Sequence, residues 1–171
     1  MGLKLEHLLV PVDFGEASLL ALERGVALAA DYRADVTLLH VIERPLFGFD
    51  GPAEAEARDA ASERLHALVR ERVRALRQLH AWRGVVLTEV AVGSVVEEIL
   101  SASEALDVDL IVVGAGTHSA LAHAVRSGTA ERVIRAAPCP VVVVRVSRDA
   151  PPDPEPERSR PGSLSAWGLA A

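Results

Sequence analysis

Lysine and cysteine are almost missing from this chain: Lys4 is the sole lysine and Cys139 the sole cysteine among 171 residues. One cysteine excludes a disulfide framework and a multi-cysteine zinc site. A lone lysine ahead of the first strand excludes a Walker-type phosphate loop, which needs a lysine beside its phosphates. It excludes a phospho-receiver site for the same reason, since that needs a lysine near its acidic cluster. Aromatic residues make up only 4%, so the core has to be built from Val, Leu, Ile and Ala. No apolar run approaches the roughly 18 to 20 residues of a membrane span. The first thirteen residues also lack the charged start, apolar middle and small-residue cleavage site of a secretory signal, so a cytoplasmic protein with no membrane partner is expected. Positive charge is not in excess: the formal net charge is -6, which argues against salt-driven binding to nucleic acid, because that needs a basic face.

What the chain does have is hydrophobic patterning that alternates between two periods. Residues 7–12 form a short apolar run that closes on Pro11, Val12, Asp13 and Phe14. Residues 17–32 follow with Leu19, Leu22, Val26 and Ala29 at three- and four-residue steps, the stripe of a half-buried helix. Residues 36–42 are nearly continuous in apolar and β-branched types, as a strand covered on both faces requires. Pro45, Gly48, Gly51 and Pro52 then mark a loop. Residues 53–82 read as one long helix with Leu65, Leu68, Val69, Val73, Leu76 and Leu79 on its inner face. A third strand is expected at 85–92, and Ser94 is placed to cap a helix running to Leu106, with Glu97 at the capping-box position. Further strands are expected at 108–113 and, from Val141 to Val146, at 141–146, with a short helix at 130–137 between them.

Five strands alternating with helices predict an α/β domain: a single open, five-stranded parallel sheet with helices on both faces, Rossmann-like. A (β/α)8 barrel would need roughly 250 residues and eight repeats. The domain is expected to occupy residues 1–147. Residues 148–171 carry Pro151, Pro152, Pro154, Pro156 and Pro161 without a periodic apolar face, and a disordered tail is expected there.

In an open α/β sheet, ligands bind beyond the carboxyl ends of the strands where strand order reverses. That places Pro11, Val12 and Asp13, the stretch from Val41 to Glu43, Gly93 and Gly114 around the expected pocket. The Asp13 carboxylate can accept from a ribose hydroxyl or an adenine amine, or it can cap the first helix across the turn to Glu16. Both readings stay open on sequence. Gly114, Gly116, Thr117, His118 and Ser119, with Gly128 and Thr129 at the next helix start, offer amides and hydroxyls to an anion, and Arg126 offers charge in place of lysine. His118 and His123 are five apart and have no carboxylate completing a metal triad, so no metal site is expected. Cys139, between two prolines, reads as a packing residue, and His40 as a satisfied core or interface histidine. Without a nucleophile elbow or a convincing acid/base pair, the chain does not read as an enzyme, with slow ATP hydrolysis at most.

Several of these stretches together resemble the universal stress protein family. They are Leu8 to Phe14 with Glu16, Ala17 and Ser18; the run ending LLHVI at Ile42; Gly93 before an apolar helix; DLIVVG from Asp109; and GTAERVIRAAPCPVVVV from Gly128. The likeness runs in order and spacing from about Lys4 to Val146. It implies strand order 3-2-1-4-5, a pocket between strands 1 and 4, a homodimer formed through the last strand, and a cytoplasmic stress-response role as a sensor or regulator. It also implies ATP or another adenine nucleotide as ligand, with Mg2+ at its phosphates. Asp13, beside Pro11 and Val12, would contact adenosine, and Val41 would offer backbone groups to adenine. Gly114, Gly116, His118, Ser119, Gly128 and Thr129 would hold ribose and phosphates. ATP-binding members resemble G-x-x-G, nine residues, then G-S or G-T; counting back from Gly128 puts His118 and Ala115 at the earlier glycine positions, so Gly114 and Gly116 are each one out of register. The alternative is therefore a dimeric interaction module of the same family that binds no nucleotide and contacts an unknown protein partner through the tail or the loop at Phe47.

Overall fold

In the computed structural model of the protein, residues 4–44, 51–116 and 128–146 are described. The elements run β1 (His7–Pro11), α1 (Glu16–Tyr32), β2 (Asp35–Glu43), α2 (Pro52–Leu68), a π turn (Val69–Val73), α3 (Arg74–Leu79), β3 (Val86–Gly93), α4 (Val95–Ala105), β4 (Leu110–Ala115), α5 (Thr129–Ala136) and β5 (Val141–Arg145). The strands form one sheet in the order β3-β2-β1-β4-β5, and every neighbouring pair is parallel. This is the expected α/β architecture.

Strand residues point alternately to the two faces, and both faces are covered, which is why the strands read as unbroken apolar runs. Leu8, Val10, Val36, Leu38 and Val112 pack with Leu22 and Val26 of α1 and Leu65 and Val73 of the long helical segment. Leu9, Leu39, Ile111 and Val113 face the other way, against Val96 and Ile99 of α4 and Val133 of α5. Trp82 is buried in the first layer, and its indole N–H donates to the Ala34 carbonyl at 2.9 Å.

Three local expectations are corrected. The helix expected without interruption over 53–82 contains the π turn and ends at Leu79. Leu68 and Val73 are five apart, and the wider turn keeps both facing the core where a regular 3.6-residue helix would rotate one away. Ser94 occupies the N-cap of α4, yet its side chain makes no cap hydrogen bond, so no capping box forms with Glu97. It is the Glu98 carboxylate that folds back over Gly93. Finally, β4 begins at Leu110, not 108, and continues through Gly114 to Ala115, while β5 stops at Arg145, one residue before Val146. The start of β4 is fixed by Asp109, whose Oδ2 accepts from the Glu6 and His7 amides at 2.7 and 3.0 Å.

Candidate functional site

Strand order reverses beside β1, with β2 on one side and β4 on the other, so the sheet has its switch point there. Pro11 opens it. Glu6 and Val12 bond to β2 while the His7 carbonyl accepts from Asp109, so Pro11, by alternation, faces β4. Proline has no N–H to donate, and the β1–β4 register covers only Leu8↔Leu110 and Leu9↔Ile111. The two strands therefore part at their carboxyl ends.

On the other side β2 outruns β1. Their register ends at Pro11↔Leu39, with one further bond from the Val12 amide to the Leu39 carbonyl at 2.8 Å. Val36 bonds toward β3 and Asp35 and Leu39 toward β1, so Val41, two residues beyond Leu39, turns its N–H and C=O to the β1 side, where β1 has ended. The Val12 carbonyl, which would otherwise meet the Val41 amide, instead accepts from Nδ1 of His40 at 2.7 Å. Because a carbonyl only accepts, that nitrogen carries the proton. His40 is thus the satisfied histidine expected, and among the described residues nothing bonds to the backbone donor and acceptor that Val41 turns toward the gap.

Asp13 sits on the turn into α1. Its Oδ1 accepts from the Gly15 amide at 2.8 Å and from the Ser18 hydroxyl at 2.6 Å, while its own amide donates to Ser18 Oγ at 3.3 Å. The carboxylate braces the turn ahead of the helix without capping it, since Gly15 is the N-cap of α1 and no side-chain cap bond forms; only Oδ1 is spent on this turn, and among the described residues no group donates to Oδ2 in this network. Burial alone would raise the Asp13 pKa; the bonds from Ser18 and Gly15, with the nearby His40, outweigh it and hold the carboxyl below its ordinary 3.8. Next to it Phe14 takes a left-handed φ of 63°. Its ring packs on His40 with centroids 4.8 Å apart and lies under the Arg64 guanidinium at 4.0 Å. A non-glycine residue held there costs energy that these ring contacts offset.

Between these walls lies a cleft of about 290 Å3, lined among others by Pro11, Val12, Asp13, Val41, Gly114 and Thr129. Six of the ten residues expected from sequence are thus brought together. Gly116, just past β4, and Gly128, the N-cap of α5, are described and exposed but do not line the cleft. His118 and Ser119 lie outside the described residues, as do Thr117, His123, Arg126, the Phe47 loop and the tail. Glu43, expected at the rim, lines the cleft as well, whereas sequence reasoning did not place Ser18, Leu39, Val95, Ile99 or Val113 there, all of which line it. The signal for Leu39 and Val113 was present, since they lie on strands already assigned to the rim.

Gly114 plays a different part from the one expected. A β-carbon there would run into the backbone of Ala17 and Ser18, so the missing side chain lets the first turn of α1 seat against β4. Among the described residues nothing lies within 4 Å of the point where a β-carbon on Gly128 would sit. The described lining carries two carboxylates, Asp13 and Glu43, and no lysine or arginine. Such a site recognises neutral donors such as hydroxyls and amines. Among the described residues no group of three His, Cys, Asp or Glu is placed to hold a metal ion. Cys139 is half-buried against the α4–α5 layer, and burial pushes its thiol pKa up, in keeping with packing. No helix among the described residues is long and apolar enough to cross a membrane.

The family model described as the universal stress protein family matches residues 4–145. Universal stress protein MJ0531 of Methanocaldococcus jannaschii is 30% identical over 142 residues, covering 82% of each chain. The universal stress protein UspA structure from Lactobacillus plantarum superposes with a TM-score of 0.60 at 26% identity, covering 83% of this chain and 99% of that one. A universal stress protein solved in complex with cAMP superposes with a TM-score of 0.65 at 20% identity, covering 84% and 99%, a likeness of fold.

Proposed function

The chain belongs to the universal stress protein family, and on that premise we propose that its cleft binds an adenine nucleotide and that the protein acts as a sensor or regulator in a stress response. The observation that carries the reading is the pairing of an open Asp13 carboxylate oxygen with the open backbone groups of Val41, which stand on β2 beyond the end of β1. A carboxylate accepts from the vicinal hydroxyls of a ribose, and a strand edge with one donor and one acceptor matches the edge of an adenine ring. Val12, Leu39, Val95 and Ile99 give the ring an apolar bed. The cAMP complex of a fold neighbour supports the same ligand class. ATP is the nucleotide favoured, with Mg2+ carried in on its phosphates, since the described lining provides no cage of protein carboxylates. The role proposed is binding and not catalysis, because no cation in the described lining would stabilise a transferring phosphoryl group. We also place the protein in the cytoplasm as a homodimer paired along β5.

The test is the nucleotide content of the purified full chain, released by denaturation and identified by mass, then calorimetric titration of the emptied protein with ATP. Stoichiometric adenine nucleotide, or saturable heat lost in Asp13→Ala, supports the reading. No copurified nucleotide and no heat at millimolar ATP would overturn it. One observation favours a second reading, a dimeric interaction module that binds no nucleotide: Gly114 is accounted for by helix packing, so its lack of a side chain no longer speaks for a phosphate. That reading expects partner capture to be indifferent to ATP.

A further inference from the structure

At the end of the sheet opposite the cleft, where α3 hands the chain to the start of β3, Arg74, Arg77, Gln78, Ala81, Trp82 and Arg83 surround a concavity of about 330 Å3. Four arginines elsewhere on the surface have acidic partners, Arg44 and Arg58 at Glu54, Arg72 at Glu23 and Arg135 at Glu131, and the remaining described arginines outside this depression do not line the cleft either. No carboxylate among the described residues pairs with Arg74, Arg77 or Arg83. Three permanent positive charges thus share one depression in a chain whose net charge is -6.

Arg77 is held still. Its guanidinium lies over the Trp82 ring at 5.1 Å and Nη2 donates to the Gly84 carbonyl at 2.5 Å, while the indole is itself tied to Ala34. Its Nε is buried and has no acceptor among the described residues, an arrangement that costs free energy unless a ligand or water supplies one. An obvious purpose for arginines at a helix end is to satisfy the last carbonyls. Here those carbonyls are already taken: His80, Trp82 and Ala81 amides donate to Leu76, Arg77 and Gln78, at 3.0, 3.0 and 3.4 Å. Arg77 spends Nη2 on the Gly84 carbonyl, while Arg74 and Arg83 make no side-chain bond among the described residues.

We propose that this pocket is a second binding site, for a tetrahedral oxyanion of the phosphate type, with the rigid Arg77 offering Nε–H and Arg74, Arg83 and Gln78 closing around the remaining oxygens. Guanidinium forks match phosphoryl oxygens in both geometry and charge. The anion can be free phosphate or the phosphoryl group of a larger metabolite. The site is independent of the cleft and of the nucleotide reading.

The test uses the 15N-labelled full chain and follows the Arg77 Nε–H and Trp82 indole N–H resonances. Inorganic phosphate and glycerol phosphate are titrated separately against sodium chloride at matched ionic strength. The result expected is a saturable shift of the Arg77 Nε–H in the low millimolar range or below that chloride does not produce. In the double variant Arg74→Gln, Arg83→Gln the affinity should fall by at least about tenfold, with the Trp82 indole resonance unmoved as evidence that the fold is kept. Tighter binding of inorganic phosphate identifies the free ion as ligand, and tighter binding of the monoester identifies a phosphorylated metabolite. A linear, unsaturating response, an equal response to chloride, or an unchanged affinity in the double variant overturns the proposal.

Discussion

Gly114→Ala isolates a single contact. The added methyl group would fall on the carbonyl of Ala17 and the amide nitrogen of Ser18. These are backbone atoms in the first turn of α1, so no rotamer change relieves the clash. Either the helix start lifts away from β4 or β4 bends. Overpacking of this kind costs about 1–3 kcal/mol, and in a domain of this size each kcal/mol lowers Tm by roughly 2–4 °C, giving a fall of about 2–12 °C. Gly128→Ala is the matched control: its φ of -59° suits any residue and no described atom is in the way, so only the weaker N-cap preference of Ala acts and the cost should stay below about 1 kcal/mol. Thermal unfolding by circular dichroism on protein freed of nucleotide measures both. A Tm for Gly114→Ala within about 1 °C of the parent would refute the packing account. The glycine would then have to be explained by the ligand alone.

Three other contacts carry expectations of their own. Because the folded Asp13 pKa lies below its ordinary 3.8, the ionised form favours the fold; that contribution is complete above 3.8 and fades as pH falls through the lower folded value. Asp13→Asn should flatten the acid limb of a Tm-against-pH curve below pH 3.8 relative to the parent, and an unchanged limb would contradict the shift. Trp82→Phe leaves the buried Ala34 carbonyl without the indole donor and should cost about 1–3 kcal/mol in urea unfolding. Val142, 37% exposed on the edge strand β5, should lie in the proposed dimer interface, so Val142→Arg should convert dimer to monomer in sedimentation velocity. A parent chain that already sediments as a monomer at micromolar concentration would dispose of that assembly.

The sheet was readable because burial on both faces forces continuous apolar runs, and such runs survive in the bare sequence. The switch point followed from topology, and with it the rim positions Pro11, Val12, Asp13, Val41 and Gly114. What could not be read is what depends on two distant segments meeting. Ser18 lies in the first turn of α1, and only the fold shows that it is 5% exposed and bonded to Asp13. A glycine needed by a ligand and a glycine needed by a neighbouring helix look identical in sequence, and only the approach of Ala17 separates them. Phe14 shows the same limit: Gly15 beside it is the residue expected at a left-handed φ, yet Phe14 adopts it because His40 and Arg64, from two other elements, grip its ring. The open backbone of Val41 lay closest to the surface of the sequence. A proline ending one strand beside a longer neighbour is enough to predict an unpaired edge.

The same junction sets both stability and binding. Gly114 seats α1, the first turn of α1 carries Ser18, Ser18 orients Asp13, and Asp13 faces the cleft. A ligand that uses Asp13 must therefore tighten the α1–β4 contact, and at a hundred times its Kd it adds about 2.7 kcal/mol to unfolding, or roughly 5–11 °C in Tm. Two variants then part company. Asp13→Ala removes the recognising group while leaving the helix seated, so affinity should be lost out of proportion to stability. Gly114→Ala unseats the helix, so stability and affinity should fall together, and the ligand should recover part of the lost Tm. If Gly114→Ala instead kept the parent's affinity at reduced Tm, Asp13 would be positioned by its turn alone, through Gly15, and the helix would have no hold on the cleft.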